Sequence, residues 1–135
     1  MGQFASARTY PTAAFRDVTA PNADTPYSSA WLDLSKEPYV LSLPDALGRY
    51  YLFPMFDAWT TVFQDPGTRT TDTGAQNCAI TGTHWSGTLP TSATEYKSPI
   101  QPGVDNRRIY CTGTPEDYQA VHAMQDKLSL APLSS

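Results

Sequence analysis

Three aspartates in the first half of the chain, Asp24, Asp33 and Asp57, stand among aromatic residues. Carboxylates in such a setting can act as general acid and base when a cleft raises the pKa of one of them. Asp57 lies between Met55 and Trp59 in the most aromatic stretch of the chain. Buried there, it must be paired with Arg or backbone N–H groups, or be functional. Tyr27, Trp31 and Asp33 share one side of an alternating segment. That row suits a site, and equally a half-exposed sheet face with a Trp lid. Arg49 and Arg69 bracket the segment that carries Tyr51, Asp57 and Trp59, and either could neutralise Asp57 or clamp an anion. Together with Asn22, these residues compose a sugar-binding surface: aromatic faces stack on the ring while Asp, Asn and Arg meet hydroxyls. The residues thus support a module that binds a small polar or carbohydrate-like ligand, or that serves in assembly. The alternative is a hydrolase or lyase in which Asp57, Asp33 and Asp24 are catalytic and an Arg holds the anion.

Other chemistry leaves no trace. The sequence contains no G-x-S-x-G elbow, phosphate loop, dinucleotide fingerprint or H-E-x-x-H. Cys78 and Cys111 hold no metal-ligand spacing with His84 and His122, so neither metal nor cofactor is expected. The two cysteines could be bonded or could be buried thiols. A formal charge of −4, with basic residues scattered apart from Arg107–Arg108, argues against nucleic acid as a partner. No apolar run approaches the length of a membrane span. The N-terminus lacks a signal-peptide core, so the chain as given would stay in the cytoplasm unless a signal has been removed. MGQFAS matches the N-myristoylation pattern only weakly.

These side chains need a scaffold, and composition points to a sheet. With 135 residues the chain suits one domain, and 12 Pro with 8 Gly favour frequent turns over long helices. The expected fold is mainly β, an antiparallel sandwich or partial barrel with one C-terminal helix. The central stretch, GRYYLFPMFDAWTTVFQDPGTR, is aromatic on both faces of a two-residue period, and Pro54 predicts a kink between two short strands. Tyr27–Ser35 reads as a strand whose Ala30, Leu32 and Leu34 face the core. Further strands are expected at 39–43, 78–82, 94–97 and 107–112. Residues 98–106 read as a loop with two prolines, and the tail SLAPLSS is expected to stop the helix near Pro132. Phe15 and Val18 are candidates to anchor the weakly structured N-terminus. Thr114 as cap, Pro115 and Asp117 open a helix whose Tyr118, Val121, Met124 (or Gln125) and Leu128 share a face.

The stretches PNADTPYSSAWLDLSKEP, VLSLPDALGRYYLFPMFDAWTTVF, PGTRTTDTGAQNCAITGTHWSGTLP and YCTGTPEDYQAVHAMQDKLSLAPLS resemble, in order and spacing, the bacterial family catalogued as domain of unknown function 1254. The resemblance runs from about Phe15 to Leu133. It implies a β-rich fold and, in many members, export to the cell envelope, but no catalytic residue. Relatives usually carry a helical N-terminal segment and a second domain, number 1214, which this sequence lacks. They also tend to place a hydrophobic strand where this chain has PGVDNRRIYC, which implies a lost core strand here. Either a short natural variant or a fragment would then cover exposed apolar surface by self-association, as a homo-oligomer.

Overall fold

The structure is a computed structural model and describes residues 2–16, 24–100 and 103–135, the side chains of 103–107 excepted. Among the described residues the protein is mainly β, with two largely antiparallel sheets, one C-terminal helix and no closed barrel.

The first sheet grows from the alternating segment. In β2 (Tyr27–Leu32) Ser28, Ala30 and Leu32 are buried while Trp31 faces out, as the period of two requires. Its one edge is covered by the two-residue β1 (Ala5–Ser6) and its other edge by β9 (Gly103–Ile109). The aromatic stretch then supplies β4 (Tyr51–Leu52) and β5 (Met55–Asp57), both paired antiparallel with β9, and β6 (Val62–Gln64) turns back on β5. Pro54 separates β4 from β5, where a residue without an N–H fits a break between two short ladders. On the buried side lie Tyr51, Phe53, Met55 and Asp57.

The second sheet has the order β10 (Ser129–Pro132), β3 (Tyr39–Leu43), β7 (Gln76–Thr81) and β8 (Ala93–Lys97). Among the described residues, β8 alone joins its neighbour in parallel. One core serves both sheets and the helix: Ala30, Leu32, Phe53, Met55 and Ile109 meet Leu41, Leu43, Cys78 and Ile80, with Val121 and Met124 closing it. Cys78 and Cys111 are both buried and form no disulfide.

Helix α1 (Pro115–Asp126) starts where the cap predicts: the Thr114 hydroxyl accepts the Asp117 N–H. Val121, Met124 and Gln125 are buried, and Tyr118 and Leu128 pack partly buried beside them. Its last two turns clasp the N-terminal segment. Arg8 donates to the Gln125 side chain at 3.2 Å and pairs with Asp126, Gln125 Nε2 donates to the Ala7 carbonyl at 3.2 Å, and the His122 ring bonds the Arg8 carbonyl at 2.6 Å.

Three expectations need correction. Residues 103–106 are not loop: they begin the strand at the middle of the first sheet, so no core strand has been lost. Ladder bonds to β2 on one side and β4–β5 on the other hold it there despite its charged, glycine-initiated sequence, because strand preference depends on context. The helix does not run on to Pro132 either: it ends at Asp126, and Ser129–Pro132 pairs with Tyr39–Ser42 as an edge strand, where a terminal proline is tolerated. At the N-terminus Phe15 is 39% exposed, outside the core, whereas Phe4 meets Phe53 edge-on at 6.2 Å. Val18 lies outside the described residues.

Candidate functional site

β2 and β5 both run antiparallel to β9, so their C-terminal ends meet at one end of the first sheet. The register makes this concrete. Trp31 is opposite Val104, which is opposite Phe56, and Leu32 is opposite Gly103, which is opposite Asp57. Strands in a sheet lie about 4.8 Å apart, so β2 and β5 are roughly 10 Å apart there. Trp31, Asp33, Asp57 and Trp59, drawn from two stretches of sequence, are thereby gathered at the same end.

Each carboxylate of this group has a local task. The Asp57 side chain is 7% exposed, and its Oδ1 accepts the N–H groups of Trp59 and Thr61, each at 2.9 Å. With the Asp57 N–H donating to the Thr61 carbonyl and the Thr60 N–H to the Asp57 carbonyl, both at 3.0 Å, these bonds tie a tight turn between β5 and β6. Thr60 adopts a left-handed φ of 63° within it. Asp33 Oδ1 accepts both the N–H and the hydroxyl of Ser35, and these bonds hold its carboxyl below the usual carboxylate range.

The indoles are different. Trp31 is 59% exposed and Trp59, in the β5–β6 turn, is 78% exposed; Trp31 shares a row across the sheet with half-buried Phe56, which pairs with 48%-exposed Val62. This end of the sheet thus carries two exposed indoles and two carboxylates ordered by their own turns.

The other candidate residues are dispersed. Tyr27 starts β2 at the opposite end, under the Arg108 guanidinium at 5.3 Å. Asp24 precedes Tyr27 at that same far end, where its backbone carbonyl accepts the Cys111 N–H at 3.2 Å. Tyr51 is a core residue, 1% exposed, whose hydroxyl donates to the Asp72 carbonyl at 3.1 Å and accepts from Gln76 at 2.7 Å. Arg69 stacks over the Tyr50 ring at 5.7 Å. Asn22 lies outside the described residues.

Arg49 neutralises not Asp57 but Asp117, in a two-pronged ion pair that also donates to the Tyr110 carbonyl at 2.9 Å. The Arg49 fork and the Thr112 N–H at 2.7 Å hold the Asp117 carboxyl far below the ordinary range. Asp117 carries a cap signal in the sequence, but nothing there signals a partner 68 residues away. Among the described residues no group of His, Cys, Asp and Glu could hold a metal ion, and no helix is long and apolar enough to cross a membrane.

The sequence matches the family described as Protein of unknown function (DUF1254) over residues 1–132. The chain belongs to this family. It is also similar to the VPA0106 protein from Vibrio parahaemolyticus, whose crystal structure superposes with a TM-score of 0.77 at 26% identity. That match covers 84% of this chain but 29% of the Vibrio chain, so this DUF1254 chain spans under a third of that protein's length. No curated protein matches.

Proposed function

We propose that this DUF1254 chain is a binding module that takes a small polar, carbohydrate-like ligand at the Trp31–Trp59 end of its first sheet. The observation that carries the reading is the exposure of both indoles, 59% and 78%, on a shelf whose backbone is fixed by Asp33 and Asp57. An indole left in water forgoes the large gain its burial would bring, and a ligand ring stacked on it recovers that gain. Hydroxyls of the same ligand can meet the half-buried Asp33 carboxylate at the rim.

The hydrolase or lyase reading is less well supported. Asp24 sits at the other end of β2 from Asp33 and Asp57, and Arg49 is engaged by Asp117. Both Asp33 and Asp57 accept bonds from their own turns, which suits positioning better than proton transfer.

Calorimetric titration with a panel of mono- and oligosaccharides, followed by indole fluorescence, tests the proposal. A binding sugar should lose about tenfold in affinity, or about 1.4 kcal/mol, on either Trp31→Ala or Trp59→Ala, while Tm barely moves. No heat, quenching or thermal shift across the panel refutes it. Turnover that disappears in Asp57→Asn at unchanged Tm would transfer the case to the enzyme reading.

A further inference from the structure

At the opposite end of the first sheet from the indoles, a groove of about 630 Å³ runs between the 44–50 turn and α1. Its walls are Leu47, Tyr50, Tyr110, Ala120, Ala123 and Met124. Leu47 is the anomaly. It is 88% exposed, and it holds a left-handed φ of 52° just before Gly48 at 79°. A leucine avoids that conformation because its Cβ crowds the following carbonyl. Two bonds keep it there: Asp45 Oδ1 accepts the Leu47 N–H at 2.7 Å, and the Arg49 N–H closes on the Ala46 carbonyl at 2.9 Å. The turn therefore presents an apolar knob beside an apolar groove, and Ala120 and Ala123 leave the groove open on the helix side.

We propose that two copies of this chain associate about a two-fold axis at this groove, each seating its Leu47 in the groove of the other. Three features select a second copy as the occupant. A two-fold contact requires one patch to be complementary to itself, and here knob and groove belong to the same patch. The charges follow the same rule: Asp45 stands on the knob's turn and Lys127 on the groove's helical wall, so entry of the knob brings each Asp45 towards the opposing Lys127. Tyr50 and Tyr110, 38% and 46% exposed, supply the amphipathic aromatic area that interface centres favour. The inference does not depend on the sugar-binding reading, since the indole shelf stays open in such a dimer.

Sedimentation equilibrium of the whole chain provides the test. The expected result is a reversible monomer–dimer equilibrium, weakened about tenfold or more by each of Leu47→Gly, Ala123→Arg and Lys127→Glu. Leu47→Gly is the most telling, because glycine accepts the left-handed turn and Tm should hold or rise while association falls. Trp59→Ala should dimerise like the unaltered chain. A monomer at every concentration up to about 1 mM overturns the proposal. So does a dimer whose dissociation constant is unchanged in any of the three groove variants, or one that Trp59→Ala abolishes.

Discussion

Asp117 joins helix to sheet: its backbone N–H donates to the Thr114 cap hydroxyl, while its carboxylate accepts from the Arg49 fork and the Thr112 N–H. Its folded pKa is depressed below the ordinary 3.8 chiefly by the hydrogen bond from Arg49. The sign follows from linkage: a depressed carboxylate contributes stability above its unfolded pKa and loses it as pH falls towards the folded value. Asp117→Asn should therefore lower stability at neutral pH by about 1 kcal/mol, a modest figure because the pair is partly wet. The gap to the unaltered protein should narrow on acidification towards about pH 3, as urea denaturation at both pH values would show. Equal gaps would mean that the charge of Asp117 is irrelevant. The sequence exposed part of this residue scale. Asp57 was bound to be satisfied in so apolar a stretch, and its partners prove to be the N–H groups of Trp59 and Thr61. Which arginine meets which acid was invisible, because Arg49 and Asp117 are brought together only by β9 and the helix that follows it.

Among elements, the β5–β6 turn shows how local strain displays a side chain. Thr60 occupies a left-handed φ of 63°, which a β-branched residue resists. Thr60→Gly should relieve about 1–2 kcal/mol of strain against about 0.4–1 kcal/mol of extra freedom in the unfolded chain. A rise of a few degrees in Tm is expected by calorimetry, and a fall would show that the Thr60 hydroxyl bond to the Trp59 carbonyl matters more. Element reading from sequence worked where side chains alternate. β2 announced its buried Ala30 and Leu32, and Pro54 its break. It failed where the ladder does the holding. β9 has the charged run Asp105 to Arg108 and no apolar period, and β10 is four residues long and ends in proline, so neither carries the pattern that marks a strand. The site was legible to the same degree: alternation placed Trp31 outward, but only the direction of β2 relative to β5 brings it to the Trp59 end.

On the scale of the molecule, the N-terminal segment completes the first sheet. β1 covers the outer edge of β2, Phe4 leans on Phe53, and Arg8 with Tyr10 is fastened to α1 and to the Cys111 carbonyl. Without it β2 becomes a bare edge of the kind that recruits other strands. Deleting residues 1–10 should depress Tm and, at raised concentration, produce aggregates that static light scattering detects. A truncated chain that stays dispersed with unaltered melting would show that the strap is dispensable.

The same strap decides how the molecule can be handled. The Gly2 N–H donates to the Trp31 carbonyl at 2.8 Å, so anything spliced ahead of Gly2, such as a purification handle or a linker to a sensor chip, is delivered next to the indoles. The carboxyl terminus returns to the turn after β2 as well, the Leu133 N–H donating to the Pro38 carbonyl and the Ser134 N–H to the Glu37 carboxylate, both at 2.9 Å. Sugar screening is therefore best read in solution, because capture through the amino terminus would report a false negative.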